Sequence, residues 1–507
     1  MDVTHTDSRV TIRAAALACL AACFAHAAVK LPTLLADHMV IQRGQPVHIW
    51  GKADPGEAVS AAFRGETKAA AADALGQFSF YLSSGAAGGP FDLTIRGSNE
   101  IVLKDVLVGD VWVAAGQSNM EWPVRWASRP ETETAGAGHP RIRLFRAMHR
   151  VSEFALDDLW GKPWIACGPE SVADFSAIGY HFGLFLQERL DVPIGLIQIA
   201  WGGTPIDSWT SYSAITADAA LMPALAEWAR IMRNHSAALL RYQQECRKWE
   251  RAAARAKAAH VPFTDPVPVK PVGPEGPWKP GAIFNAMVTP AAAYPVRGVI
   301  WYQGESNTSA ERAPLYGRLF RTMIDDWRRA WNQGDFPFLF VQLAGFTAAP
   351  DSQWPELREA QRRALGAANT AMAVTIDLGE RDNIHPGNKR EVGRRLSLLA
   401  RALVYGEQLV YSGPLFRRTT REEGGLRVWF DHTGSGLMGQ GGAVRGFEVA
   451  GADRRWMPAA ARIEGNTVQL SSASVAAPLY VRYGWADFPD CNLYNAEGLP
   501  AAPFRSD

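Results

Sequence analysis

Between about residue 108 and residue 406 the chain repeats one pattern, a short apolar run followed by a longer stretch with helical periodicity. The runs are Val111–Ala115, Gly195–Ala200, Val299–Gln303, Phe338–Leu343 and Ala373–Ile376. Stretches such as Phe175–Leu190, Tyr316–Trp331 and Pro355–Leu365 separate them. Apolar runs joined by helices imply a mostly parallel sheet covered on both faces. Such sheets place their ligands beyond the C-terminal ends of the strands. The residues just after each run are therefore where chemistry is expected.

After the first run come Gly116-Gln-Ser-Asn-Met120. A serine at a strand tip is a poor nucleophile until a base takes its proton. It is equally able to cap a following helix, so Ser118 needs a partner. Asp382-Asn-Ile-His385 follows the last run and precedes a helical pattern from Lys389 to Tyr405. An aspartate three residues before a histidine can hold the imidazole by Nδ1–H and leave Nε2 for the serine proton. Asp382 could instead cap the next turn. Asp377 is a competing carboxylate, less well placed at the end of its strand. The order Ser…Asp…His is that of α/β-hydrolases, but Met120 stands where their G-x-S-x-G elbow has its second glycine.

Taken together, Gly116-Gln-Ser-Asn-Met120, Trp201-Gly-Gly-Thr204, Trp301-Tyr-Gln-Gly-Glu-Ser-Asn307 and Asp382-x-x-His385 resemble the blocks of SGNH hydrolases. More closely they resemble the sialate O-acetylesterase family and its bacterial relatives that deacetylate plant polysaccharides. The resemblance runs from about Leu31 to the C-terminus. It implies an SGNH (flavodoxin-like) α/β fold flanked by N- and C-terminal β-sandwich-like domains. It also implies a serine esterase that removes O-acetyl groups from sugars through an acetyl-enzyme. The substrate would be acetylated hemicellulose such as xyloglucan or xylan oligosaccharides, or 9-O-acetyl sialic acid.

Ester hydrolysis needs donors aimed at the oxyanion. The Ser118 backbone N–H is one. Gly202, where a missing side chain admits the substrate, is the second that the resemblance implies, with Gly203 a near alternative. Many SGNH enzymes use an asparagine as third donor; here the closer family implies Gln303. Glu305 reads as a buried satisfied carboxylate, or, with Asp207, as the acid pair of a glycosidase. A third reading is a non-catalytic carbohydrate-binding protein. Trp122, Trp201 and Glu305 are candidate substrate contacts, as are Trp209 and Trp301, although tryptophan also fills cores. No metal-ligand spacing appears, so neither metal nor other cofactor is expected.

The flanks read differently. Residues 29–107 carry short alternating runs, Val47–Trp50, Phe78–Leu82 and Phe91–Ile95, bounded by turn residues, which suggest a small β-domain. Residues 407–507 repeat that signature in Leu426–Phe430, Thr467–Leu470 and Leu479–Tyr483. The catalytic pattern occupies 108–212 and 281–406. Residues 213–280 interrupt it with a helical stretch, Ala224 to His260, behind Pro223, and a Pro-rich run to Pro280 that reads as an extended arm. This insertion could brace the catalytic domain, cover it as a lid, or contact a second copy.

Residues 1–28 read as an export signal: Arg9 and Arg13, an apolar stretch from Ala14 to Ala25, and the small-residue pattern Ala25-His-Ala27. Leu20-Ala-Ala-Cys23 also resembles a lipoprotein box that would anchor the chain at Cys23. Both place the mature protein outside the cytoplasm, periplasmic or secreted. The stretch is too short to span a bilayer. The net charge of +1, without a long block of one sign, argues against a nucleic-acid partner. Cys167, Cys246 and Cys491 are too few and too scattered to frame the fold by disulfides.

Overall fold

The computed structural model describes residues 28–507, so the leader and Cys23 lie outside the described residues. Its organising element is a strand of 17 residues, β1 (Glu100–Gly116). The first half of β1 pairs antiparallel with Gly88–Arg96 in the N-terminal β structure. Its second half, buried throughout from Val106, lies in the centre of a parallel sheet. The expected domain junction at 107/108 thus falls inside one continuous strand.

The other strands of this sheet are β2 (His139–Ala147), β3 (Gly161–Cys167), β4 (Ile194–Ala200), β5 (Gly298–Tyr302), β6 (Phe338–Val341) and β7 (Thr370–Ala373). Their spatial order is β7-β6-β5-β1-β4-β2-β3. All pairs are parallel except the edge pair of β2 and β3. Within it, β4-β1-β5-β6-β7 have the 2-1-3-4-5 order of a doubly wound sheet. The chain leaves β1 toward one side and returns to the other beside it, so the tips of β4, β1 and β5 flank a topological switch point. A crevice opens there because successive connections diverge.

Two helix pairs cover the sheet: α1 (Ala177–Leu190) packs on α5 (Lys389–Leu403), and α3 (Ala313–Trp331) on α4 (Trp354–Arg363). On α3 the buried residues Tyr316, Leu319, Phe320, Met323, Ile324, Trp327 and Trp331 recur at helical spacing and form one apolar stripe. The last run differs from expectation. β7 ends at Ala373, and Ile376–Leu378 is a 3-10 turn in which the Thr375 hydroxyl donates to Gln342 O at 2.6 Å. The run is apolar because the turn is buried, not because it extends the strand.

The insertion contains α2 (Met222–Ala258), 37 residues of which only Ala224 is buried. The Pro-rich arm doubles back along it: Trp249 Nε1 donates to Asp265 O at 2.9 Å, and His235 Nδ1 lies 2.9 Å from Val272 O. One continuous core joins the N-terminal β structure to the α/β sheet. The C-terminal strands enclose a separate core around Val428, Val449, Val468, Val481 and Phe504. No described helix is long and apolar enough to cross a membrane. Cys167, Cys246 and Cys491 are unpaired thiols.

Candidate active site

Ser118 opens a single helical turn, Ser118–Glu121, immediately beyond β1. Gly116 makes the sharp exit possible. Its φ is +137°, and a Cβ there would lie 2.1 Å from Tyr302 O. The turn is then pinned from behind: the Ser176 hydroxyl donates to Met120 O at 2.5 Å and caps α1 by accepting from Gly179 N. Gln117, also buried, accepts from Ser306 N at 3.2 Å. The serine is thus held at a strand tip by partners from two segments, Ser176 ahead of α1 and Ser306 just after β5.

The histidine arrives from the far side of the sheet. His385 lies 267 residues away, on the loop between β7 and α5, yet its Nε2 is 2.9 Å from Ser118 Oγ. Its ring stacks on Trp122, with centroids 4.4 Å apart and planes 20° apart. Asn383 Oδ1 accepts from the His385 backbone N–H at 3.0 Å and shapes the loop. Burial, and then the positive charge of Lys389, hold the imidazole down to about 4, below its ordinary value of 6.5. The ring is therefore neutral near pH 7 and able to accept a proton.

Asp382 is not brought into this contact. Its side chain is exposed, and among the described residues no hydrogen bond joins it to the His385 ring. Asp377, the competitor, is committed elsewhere: it forms a bidentate pair with Arg395 at 2.6 and 2.7 Å.

Behind Ser118 lies a polar cluster, buried at Asn119 and Lys389, that no local sequence pattern announces. Lys389 donates through Nζ to Asn119 Oδ1. Asn119 Nδ2 donates to Glu305 Oε1 at 2.5 Å and to Ile384 O at 3.0 Å. One asparagine thus ties the serine turn, the Glu305 loop and the histidine loop together. Burial raises the Glu305 carboxyl, opposed by its bond to Asn119 and by the Lys389 charge. Burial also lowers Lys389 to about 7, opposed by Glu305 and Glu380.

Beyond β4, Gly202 lies against the serine; a Cβ on it would sit 3.2 Å from Ser118 Cβ. Its N–H does not face empty space. It donates to Glu121 Oε2 at 2.7 Å, while Glu121 Oε1 lies 2.7 Å from His149 Nε2. The His149 ring stacks in parallel on Trp201, 4.3 Å away.

Gln303 is wholly buried. Its Nε2 donates to Thr204 O at 3.1 Å and to Asn307 Oδ1 at 2.7 Å, and its Oε1 accepts from the Tyr316 hydroxyl. Both amide hydrogens are engaged, so in this state Gln303 braces the Gly202 loop rather than pointing a donor toward Ser118.

The remaining candidates sort by contact. Trp122 supports the histidine and donates to Trp126 O, leaving the half-exposed Trp126 as the aromatic face toward solvent. Trp209 and Trp301 are buried in the core. Asp207 is buried in an ion pair with Arg312 at 2.9 Å, and Glu305, partly buried, is bonded to Asn119, so neither carboxylate is presented as half of an acid pair. Arg125 pairs with Asp174, and Arg381 lies over the Phe488 ring at 4.6 Å. Among the described residues no cluster of three or more His, Cys, Asp or Glu is arranged to hold a metal ion.

Known proteins resemble this chain over most of its length. Residues 108–260 and 275–401 match the family model described as carbohydrate esterase, sialic acid-specific acetylesterase. The chain is 32% identical to mouse (Mus musculus) sialate O-acetylesterase over 464 residues, 82% of this chain and 82% of that protein. The human (Homo sapiens) sialate O-acetylesterase is 31% identical over 466 residues, covering 82% of this chain and 79% of the human protein. Among solved structures, a novel carbohydrate acetylesterase from Xanthomonas citri superposes with a TM-score of 0.81 at 39% identity. That match covers 94% of this chain and 99% of the other.

Proposed function

Because this chain belongs to the sialic acid-specific acetylesterase family of carbohydrate esterases and is a carboxylic ester hydrolase, we propose that Ser118 is its nucleophile. The observation that carries the proposal is the 2.9 Å contact between Ser118 Oγ and His385 Nε2. Ser118 Oγ attacks the acetyl carbonyl while Nε2 takes its proton. The tetrahedral oxyanion accepts from the backbone N–H groups of Ser118 and Gly202, on a loop that Gln303 braces. The imidazolium then protonates the departing sugar hydroxyl, leaving acetyl-Ser118. Water, deprotonated by the same Nε2, releases acetate.

Asp382 makes no bond to the His385 ring in this conformation, and we propose that it turns to Nδ1 when the imidazolium forms. Its place three residues before His385 on the same loop supports that role, and the Trp122 stack and the Asn383 turn supply orientation alongside it. We read the doubly wound sheet as an SGNH scaffold on the strength of its strand order and the four sequence blocks. The leader in residues 1–28 supports export, with either cleavage or a lipid anchor at Cys23.

For the substrate, the reading favours acetylated neutral hemicellulose over 9-O-acetyl sialic acid. A sialic carboxylate calls for a cation, and no arginine stands inside the four blocks; of the two flanking candidates, Arg125 is paired with Asp174 and Arg381 lies over the Phe488 ring. An acetate-release panel of acetylated xyloglucan and xylan oligosaccharides against 9-O-acetyl sialic acid tests this. Faster release from sialic acid would overturn the preference. Ser118→Ala is expected to lose roughly three orders of magnitude in turnover of p-nitrophenyl acetate. It should also abolish fluorophosphonate labelling; retained turnover would remove Ser118 from the mechanism.

A further inference from the structure

The Gly202 N–H that the mechanism assigns to the oxyanion is already occupied by a carboxylate. Glu121 stands at the end of the single turn that Ser118 begins, so one turn delivers both the nucleophile and this anion. One carboxylate oxygen takes the Gly202 N–H at 2.7 Å; the other meets His149 Nε2 at 2.7 Å. Four-fifths of the Glu121 side chain is out of solvent, at 19% exposure, whereas His149 is open at 37%. His149 is held flat on Trp201 and reaches Ala200 O through the same Nε2, at 3.1 Å. Glu121 therefore has two anchors, and giving up Gly202 leaves it the second.

A carboxylate is the charge and shape of the product acetate. It also carries negative charge into the place where the oxyanion develops. Resting there, it satisfies a partly buried donor. Once the acyl-enzyme has hydrolysed, acetate and Glu121 compete for the same N–H, and Glu121 is tethered. A neutral ester carbonyl meets no such like-charge opposition.

We propose that Glu121 is a resident stand-in for the oxyanion: it yields the Gly202 N–H to a neutral ester carbonyl and reclaims it from acetate, selecting against anionic occupants of the acyl site. This rests on the assignment of Gly202 as an oxyanion donor. His149 is the positioning residue that retains the displaced carboxylate.

The test compares inhibition of p-nitrophenyl acetate hydrolysis by acetate and by acetamide, its neutral isostere. In the wild-type protein acetamide is expected to inhibit at lower concentration than acetate. Glu121→Gln keeps the shape and removes the charge. It is expected to tighten acetate inhibition by at least about tenfold, reversing the order, while acetamide shifts by no more than about twofold. Glu121→Met, which has neither charge nor acceptor, should tighten acetate likewise. If acetate already out-competes acetamide in the wild type, or if Glu121→Gln leaves the order unchanged, the proposal is overturned. The wild-type measurement decides the matter even where both variants fail to fold. Ser118→Ala separates the two claims, since retained turnover there defeats the nucleophile assignment and leaves the acetate-to-acetamide order untouched.

Discussion

Burial lowers the His385 imidazole most, and the charge of Lys389 lowers it further. Lys389 is a fully buried ammonium, 5.8 Å from the Trp122 ring centre and 5.9 Å from that of Tyr302, with its Nζ bond on Asn119. His385 must be neutral to act as a base, so activity should rise with pH through the folded value of about 4. The plateau of kcat/KM is then expected well below pH 6.5. Lys389→Met removes the neighbouring charge, and the acid limb should move to higher pH. A pH profile of p-nitrophenyl acetate hydrolysis checks both, and a wild-type limb near 6.5 would contradict the described environment. The same depression links to folding. The unfolded chain takes up the histidine proton first, so this contribution to stability is present above about pH 6.5 and is lost as pH falls toward 4.

At the level of elements, the insertion grips the candidate site at both of its ends. Glu227, in the first turns of α2, lies 3.0 Å from Arg312, which also holds buried Asp207 at 2.9 Å. At the end of the arm, Trp278 donates to Gly203 O at 2.8 Å, and Arg312 lies 4.8 Å over its ring. The loop carrying Gly202 is therefore clamped between β4 and the insertion. Burial pushes the Asp207 carboxyl up, and Arg312 is the largest influence pulling it down. Arg312→Met would strand that carboxylate in a dry site, and breaking a buried pair in this way costs about 3–5 kcal/mol. Urea unfolding should show the loss; a change below about 1 kcal/mol would mean that water reaches Asp207.

Across the whole molecule, the C-terminal β structure supports the histidine side of the site. Arg358 of α4, fully buried, donates to Ala486 O at 2.6 Å and to Asp487 O at 2.8 Å. Phe346 N donates to Asp487 O at 3.1 Å, and Arg381, four residues before His385, rests on Phe488. The serine side leans on the core shared with the N-terminal strands, the histidine side on the loop 486–488. Phe488→Ala is therefore expected to slow turnover roughly tenfold or more by loosening the His385 loop, since small misplacements are costly in catalysis. The melting temperature should fall little, because Phe488 is only partly buried. Unchanged kcat would separate the C-terminal part from catalysis.

Local chemistry was legible in the residues alone. A strand tip followed by glycine and serine, and a histidine after a later strand, each sit within a few positions, so Ser118 and His385 could be read before any coordinates. The alternation of apolar runs and helices specified the parallel sheet for the same reason, since backbone periodicity is local. β2 and β3 carry no such run: Arg141, Arg143 and Arg146 interrupt β2, and β3 lies at the sheet edge, where continuous apolarity is not required. The meeting of Lys389 with Asn119 across 270 residues, of Glu121 with Gly202, and of Arg312 with Asp207 had no sequence signal. The last two pairs exist because the sheet order brings the tips of β4, β1 and β5 side by side, and the first because the loop between β7 and α5 reaches back across the sheet to β1. The sequence determined which reactive groups were present and which strand ends carried them. The tertiary structure decided which groups face one another, and with that the charge and hydrogen-bonding state of each, because these depend on neighbours and burial.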